Sequence, residues 1–203
     1  MLLHPPAVLQ KNKMNRVDNE HFYQVGIQDH GYTPQGLRWH SRESQEVRFD
    51  QLVSLLPFDT QSIVDAGCGF GDLCGYIRSR GKYTLSYIGL DALDVMVNEA
   101  SMRTKEPIYQ CDILADPLPE AEFYLCSGAL NILTRHASTL FLRRCYDAST
   151  RGIIFNFLEG TKQSKTFNYL QASSLQKLGD KLGARVVFRR HYYDNDCTAA
   201  FYK

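Results

Sequence analysis

No stretch of this sequence approaches the roughly 18 consecutive apolar residues of a membrane span, so no transmembrane helix is expected. Nor does one sign of charge dominate. Twenty-three basic residues stand against 22 acidic ones, a net charge of +1, which leaves no broad footprint for nucleic acid or an anionic membrane. The six cysteines (Cys68, Cys74, Cys111, Cys126, Cys145 and Cys197) include no C-x-x-C pair, and several fall in apolar runs. Neither a disulfide framework nor a zinc centre is expected from them, and no metal site is assigned. They read as buried free thiols of a reducing cytoplasm. The start, Met1-Leu2-Leu3-His4-Pro5-Pro6, is too short and too broken by proline for a signal peptide. Internal repeats and low-complexity tracts are also missing. What is present is ordinary for a globular chain: 203 residues, 44% hydrophobic and 22% charged, enough for one domain with a substantial core.

The rest of the chain is organised around Ser62-Ile63-Val64-Asp65-Ala66-Gly67-Cys68-Gly69-Phe70-Gly71-Asp72. A short β-branched run reads as a buried parallel strand. Glycines at 67, 69 and 71 permit a sharp turn with φ > 0 and clear the Cβ atoms from a ligand's path. A helical pattern (Leu73, Tyr76, Ile77, Arg80) follows at once, aiming unpaired N–H groups into the space so opened. The dinucleotide fingerprint would place its third glycine where Asp72 stands. Carboxylates at Asp65 and Asp72 would repel a pyrophosphate and suit a ligand carrying an amino group and a sulfonium. A tight strand–helix turn without a ligand is the plain alternative.

An acid two residues before G-x-G-x-G resembles the first motif of the class I S-adenosylmethionine (SAM) dependent methyltransferases. Downstream, Ser86–Asp91 reads as a second strand ending in an acid 20 residues past Gly71. There a nucleotide-binding α/β unit places the carboxylate that accepts the ribose hydroxyls; capping the next helix is the simpler role. Pro107–Ile113 reads as a third strand. The resemblance implies that Asp112 accepts from the adenine amine and that Ile113 packs on its ring. With Asp91 and its neighbour Ala92, and with Asp65, Gly67, Cys68, Gly69 and Gly71, they form the expected cofactor site. A fourth strand from Glu122 runs into Ser127-Gly128-Ala129, which brings Ser127 beside Gly67, where the methyl should emerge.

The front of the chain is similar, more narrowly, to a bacterial group of these enzymes carrying W-x-S-x-x-S-Q-x-x-R-F, here Trp39, Ser41, Ser44, Gln45, Arg48 and Phe49. That resemblance implies a helix over the cofactor mouth, with Gln45 or Arg48 near the SAM carboxylate. A solvated helix face is the simpler reading of both. Ser41 is the expected N-cap and Pro57 the stop.

The strand–helix alternation from 62 to 160 demands a mostly parallel sheet with helices on both faces. Arg185–Tyr193 and Thr198–Tyr202 read as a closing pair around the turn Asp194-Asn195-Asp196. The expected fold is a Rossmann-like α/β methyltransferase sheet of seven strands with an antiparallel C-terminal strand. Residues 1–40 are expected as a partly flexible extension with a lid role, frayed before residue 20, and residues 41–203 as the single SAM-dependent methyltransferase domain.

The activity implied is transfer of a methyl group from SAM to an acceptor, by in-line displacement driven by proximity and desolvation, leaving S-adenosylhomocysteine. The N/D-P-P-Y/F signature of the branches that modify DNA bases and glutamine amides is missing, which points to a small-molecule acceptor. A general base is needed only for an acceptor that keeps its proton. His136, His40 and Glu159 are candidates, none assigned a catalytic role, and Trp39, Tyr32 and Tyr169 are candidate walls. Two other readings stay open: a SAM-binding protein without transfer, and a nicotinamide-dependent oxidoreductase, which position 72 disfavours. A cytoplasmic location is expected; the oligomeric state is not assigned.

Overall fold

The computed structural model describes residues 16–81 and 85–203; the expectations for the first residues lie outside them. Eight strands form one sheet: β1 (Ser62–Ala66), β2 (Ser86–Asp91), β3 (Ile108–Gln110), β4 (Ala121–Cys126), β5 (Ser149–Glu159), β6 (Tyr169–Leu170), β7 (Arg185–Arg189) and β8 (Asp196–Tyr202). Their order is β3-β2-β1-β4-β5-β8-β7, with β6 beside β5. The pairings β1–β2, β1–β4, β2–β3, β4–β5 and β5–β6 are parallel, and only β8 runs against its neighbours. The expected sheet is present, with one more strand than the seven foreseen. Helix α6 starts at Ala172, just after β6.

Six helices accompany the strands among the described residues: α1 (Asn19–His30), α2 (Arg42–Leu55), α3 (Asp72–Ser79), α4 (Asp94–Thr104), α5 (Arg135–Ala148) and α6 (Ala172–Leu182). One core joins α5 and α6 to one side of the sheet through residues such as Tyr124, Phe141, Leu142, Ile153, Leu175 and Phe201. A second, through Phe49, Leu52, Ile63, Leu73, Tyr87 and Leu125, joins α2 and α3 to the other. Strand β1 has neighbours on both sides in sequence-distant segments, so the chain leaves it in opposite directions to build the sheet. In such sheets ligands bind beyond the strand ends at that switch, here between β1 and β4.

The W-x-S-x-x-S-Q-x-x-R-F block proves to be mainly a fold element. Ser41 and Ser44 form a reciprocal capping box that starts α2, and Phe49 is buried against Tyr76. Arg48 does not face the ligand space. Its guanidinium donates to both carboxylate oxygens of Asp196 and to the Ser44 carbonyl, between the rings of Trp39 (4.9 Å) and Tyr193 (4.8 Å). The cofactor role expected of Arg48 is corrected accordingly: both ions are buried, and the arginine is already spent on fastening α2 to β8.

Breaking a buried pair strands a charge, which typically costs about 3–5 kcal/mol, whereas replacing both ions by apolar groups can be neutral. Arg48→Ala should therefore lower unfolding stability by about 3–5 kcal/mol in a denaturant titration, and Arg48→Met with Asp196→Leu should recover most of that loss.

Candidate active site

The switch point opens into a cavity of about 1000 Å³. Its floor is the loop between β1 and α3. Gly67, Gly69 and Gly71 all adopt left-handed φ of 81°, 54° and 78°, conformations with little penalty only for glycine. Backbone N–H groups of Gly67 and Cys68 both donate to the Leu90 carbonyl, fastening this loop to β2. What a side chain would meet at these glycines differs from the simple expectation of bare ligand space. A Cβ on Gly71 would lie 2.4 Å from Thr104 Cγ2, so that glycine serves the packing of α3 on α4, and Gly71 does not line the cavity. A Cβ on Gly69 would press on Leu37 at 3.0 Å, and one on Gly67 on Ala129 at 2.7 Å.

Asp91, at the end of β2, is half-buried and takes backbone donors that include Gly69 N–H to Oδ2 at 2.9 Å and Leu93 N–H to Oδ1 at 3.1 Å. Burial raises its pKa above the ordinary carboxylate value, and the backbone hydrogen bonds partly offset this. The bond to Leu93 turns the chain ahead of α4; the N-cap position itself is Leu93. Asp65 lies deeper, with Tyr87 Oη donating to it at 2.7 Å. Burial, reinforced by Asp91 and Asp72, pushes its pKa up to about 7. Asp72 is compensated, taking Gln45 Nε2 at 3.0 Å and Arg103 at 3.3 Å. Cys68 also faces the cavity, its thiol raised well above the ordinary range by burial. All six cysteines are buried and unbridged.

Asp112 accepts from the Leu114 N–H at 3.0 Å, just past the end of β3, so it shapes the following turn while lining the cavity. Ile113, Ala92 and Gln45 line it as well. Ser127 does so from the end of β4, its hydroxyl donating to Asn156 Oδ1 at 2.8 Å. Asn156 in turn donates to Thr198 at 2.7 Å, and Thr198 meets Tyr192 Oη at 2.8 Å. This buried chain holds Ser127 against β5 and β8.

The remaining wall comes from elements the sequence left vague. Helix α1 contributes Phe22 and Tyr23, and a 3-10 turn at Pro34–Leu37 contributes Leu37. Arg38 binds this cover together, donating to the Phe22 carbonyl at 2.9 Å and lying 5.0 Å over its ring. Trp39 packs across Gly128, where an added Cβ would sit 2.9 Å from the indole. The Tyr23 phenol is raised by burial, then by Asp91. Phe167, just before β6, also lines the cavity. None of the three candidate bases lines the cavity: His40 and His136 are exposed, and Glu159 pairs with Arg190 at 2.9 Å. Tyr32 packs on Phe70 instead, and Tyr169 belongs to β6. No group of three or more His, Cys, Asp or Glu suited to a metal occurs among the described residues, and no helix among them is long and apolar enough to cross a membrane.

Residues 63–152 match the family described as a methyltransferase domain. A Mycobacterium tuberculosis protein whose name assigns it provisionally to the methyltransferases is 29% identical over 147 residues, spanning 66% of this chain and 88% of that protein. Magnesium protoporphyrin IX methyltransferase from Synechocystis, solved with S-adenosylhomocysteine, superposes with a TM-score of 0.62 at 14% identity, covering 91% of this chain and 87% of that one. Human N-acetylserotonin methyltransferase, solved with SAM, gives a TM-score of 0.71 at 16% identity, covering 96% of this chain and 64% of that one. Residues 63–152 thus match a methyltransferase domain, and the sheet around them has the Rossmann-like methyltransferase fold of these solved structures.

Asp65 gives a test of the site's electrostatics without any ligand. Its pKa of about 7 in the fold lies above the ordinary 3.8, so the folded state holds more protons than the unfolded chain between those values. The Asp65 contribution is therefore fully present below about pH 4, falls as pH rises towards 7, and is gone above it. Asp65→Asn should remove that loss, stabilising the protein at pH 8 relative to pH 5 by on the order of 3 kcal/mol in paired thermal or denaturant melts.

Proposed function

We propose that the cavity binds SAM across the ends of β1, β2 and β4, and that a methyl group passes from it to a small-molecule acceptor. The observation that carries this reading is Asp91. It is a half-buried carboxylate at the end of β2 that lines the cavity and is held by backbone N–H groups, among them those of Gly69 and Leu93. A carboxylate accepts up to about four hydrogen bonds and donates none, which fits the two hydroxyls of a ribose. Asp65 and the Gly67–Gly69 turn would take the amino-acid end of the same molecule, the buried carboxylate answering its ammonium. Asp112 and Ile113 would take the adenine, and Ser127 and Gln45 flank the tail. Gly71 acts on this site only through the packing of α3.

SAM supplies an electrophilic methyl group on a sulfonium. The protein's part is to hold the acceptor in line and exclude water, which can supply roughly 7–11 kcal/mol of rate enhancement. Helix α1, the Pro34–Leu37 turn and Trp39 are suited to that task, since they roof the cavity. In this reading residues 16–40 are the cover and 41–203 the catalytic domain. Aromatic walls and a volume at the upper end of the usual ligand-pocket range leave room for a second small molecule beside the nucleoside.

Asp91→Ala should weaken SAM by about 1–3 kcal/mol, a roughly 5- to 150-fold rise in Kd, measured by calorimetry on protein checked for folding by circular dichroism. An unchanged Kd in the folded variant would take Asp91 out of the binding site.

A further inference from the structure

We propose, on the reading just given of the same cavity, that the acceptor is an uncharged nitrogen-bearing ring compound methylated on nitrogen to a cationic or amine product, and that anionic acceptors are rejected. The charge lining the cavity is one-sided. Asp18, Glu20, Asp65 and Asp91 contribute to it, with Asp72 turned to Arg103, while among the described residues Arg38 is the sole basic one in the lining. Arg38 is itself engaged by the Phe22 carbonyl. No lysine or histidine lines the space among the described residues, so a carboxylate or phosphate acceptor would meet mainly like charges there.

The chemistry of transfer points the same way. The lone pair of a neutral nitrogen forms the new N–C bond while the C–S bond breaks and its electron pair stays on sulfur. Positive charge thus moves from sulfur to nitrogen instead of disappearing, and any N–H proton then leaves to water. An acidic cavity holds a cation equally well before and after the step. A phenol would instead need its proton removed, and no imidazole among the described lining residues is there to take it.

The walls and the unused polar atoms fit a ring with N–H groups. Phe22, Tyr23, Trp39, Phe141 and Phe167 offer aromatic faces, which favour stacked or edge-on rings. Asn19 and Asn131, also in the lining, carry buried side-chain oxygens without a hydrogen-bond partner. Buried acceptors are rarely left so, and an N–H of the bound ring would satisfy them.

The test uses the full chain saturated with S-adenosylhomocysteine and two probes on one ring, 6-aminoquinoline and quinoline-6-carboxylate, titrated at pH 7.5. The amine should bind about tenfold or more tighter than the carboxylate, and only the amine should accept radiolabel from SAM. Glu20 is exposed and bonded only to Gln24, so Glu20→Lys should fold normally and shrink that preference about threefold or more. Equal or tighter binding of the carboxylate, failure of both probes to bind, or an unchanged preference in the variant overturns the assignment. Failure of S-adenosylhomocysteine itself to bind is read in the preceding titration and sinks the methyl-donor reading instead.

Discussion

Burying carboxylates where parallel strands end is the constraint on which the rest of this structure depends. Asp65 is buried and Asp91 half-buried, with a phenol and backbone N–H groups as their hydrogen-bond partners. For Asp65 the result is a pKa near neutrality, so a positive group placed beside it would favour its ionised form. Such an arrangement opposes stability, and the surroundings supply the stabilisation. Two hydrophobic cores enclose the sheet, and the Arg48–Asp196 pair joins the helix that presents Gln45 to the last strand.

The cover over the site follows from the same economy of backbone. Gly26 and Gly36 approach so closely that a Cβ on Gly26 would sit 2.4 Å from the Gly36 carbonyl oxygen. Helix α1 and the Pro34–Leu37 turn are thereby folded on one another, and Leu37 is delivered to the glycine turn while Trp39 is delivered to Gly128. The segment preceding the sheet thus forms one wall of the site, and aromatic rings reach the switch point from outside the Rossmann-like body.

Much of this was legible in the sequence because strand and loop chemistry are local. The β-branched run, the spaced glycines and the acid ending β2 each announce a conformation within a few residues. Pro57 likewise follows the end of its helix as its chemistry requires. Arg48 was misread because a helix-face arginine looks the same whether it meets a ligand or a partner such as Asp196, 148 residues away. Gly71 was misread for a related reason: the motif shows that a Cβ is unwelcome but not whether ligand or Thr104 would be struck. Tyr23 and Phe22 were missed because α1 has no clear apolar stripe. Its rings face a cavity rather than a core, so the period that marks an amphipathic helix is lost.

The central claim, that carboxylates at the strand ends receive the ammonium and ribose of an adenosyl amino acid, is tested most directly by titration calorimetry with S-adenosylhomocysteine at pH 7, in phosphate and in Tris. Because the ligand's ammonium would pull the Asp65 pKa down from about 7, binding should expel a fraction of a proton. The two buffers should then report different heats for one affinity. Identical heats, or no binding at millimolar ligand, would contradict the account.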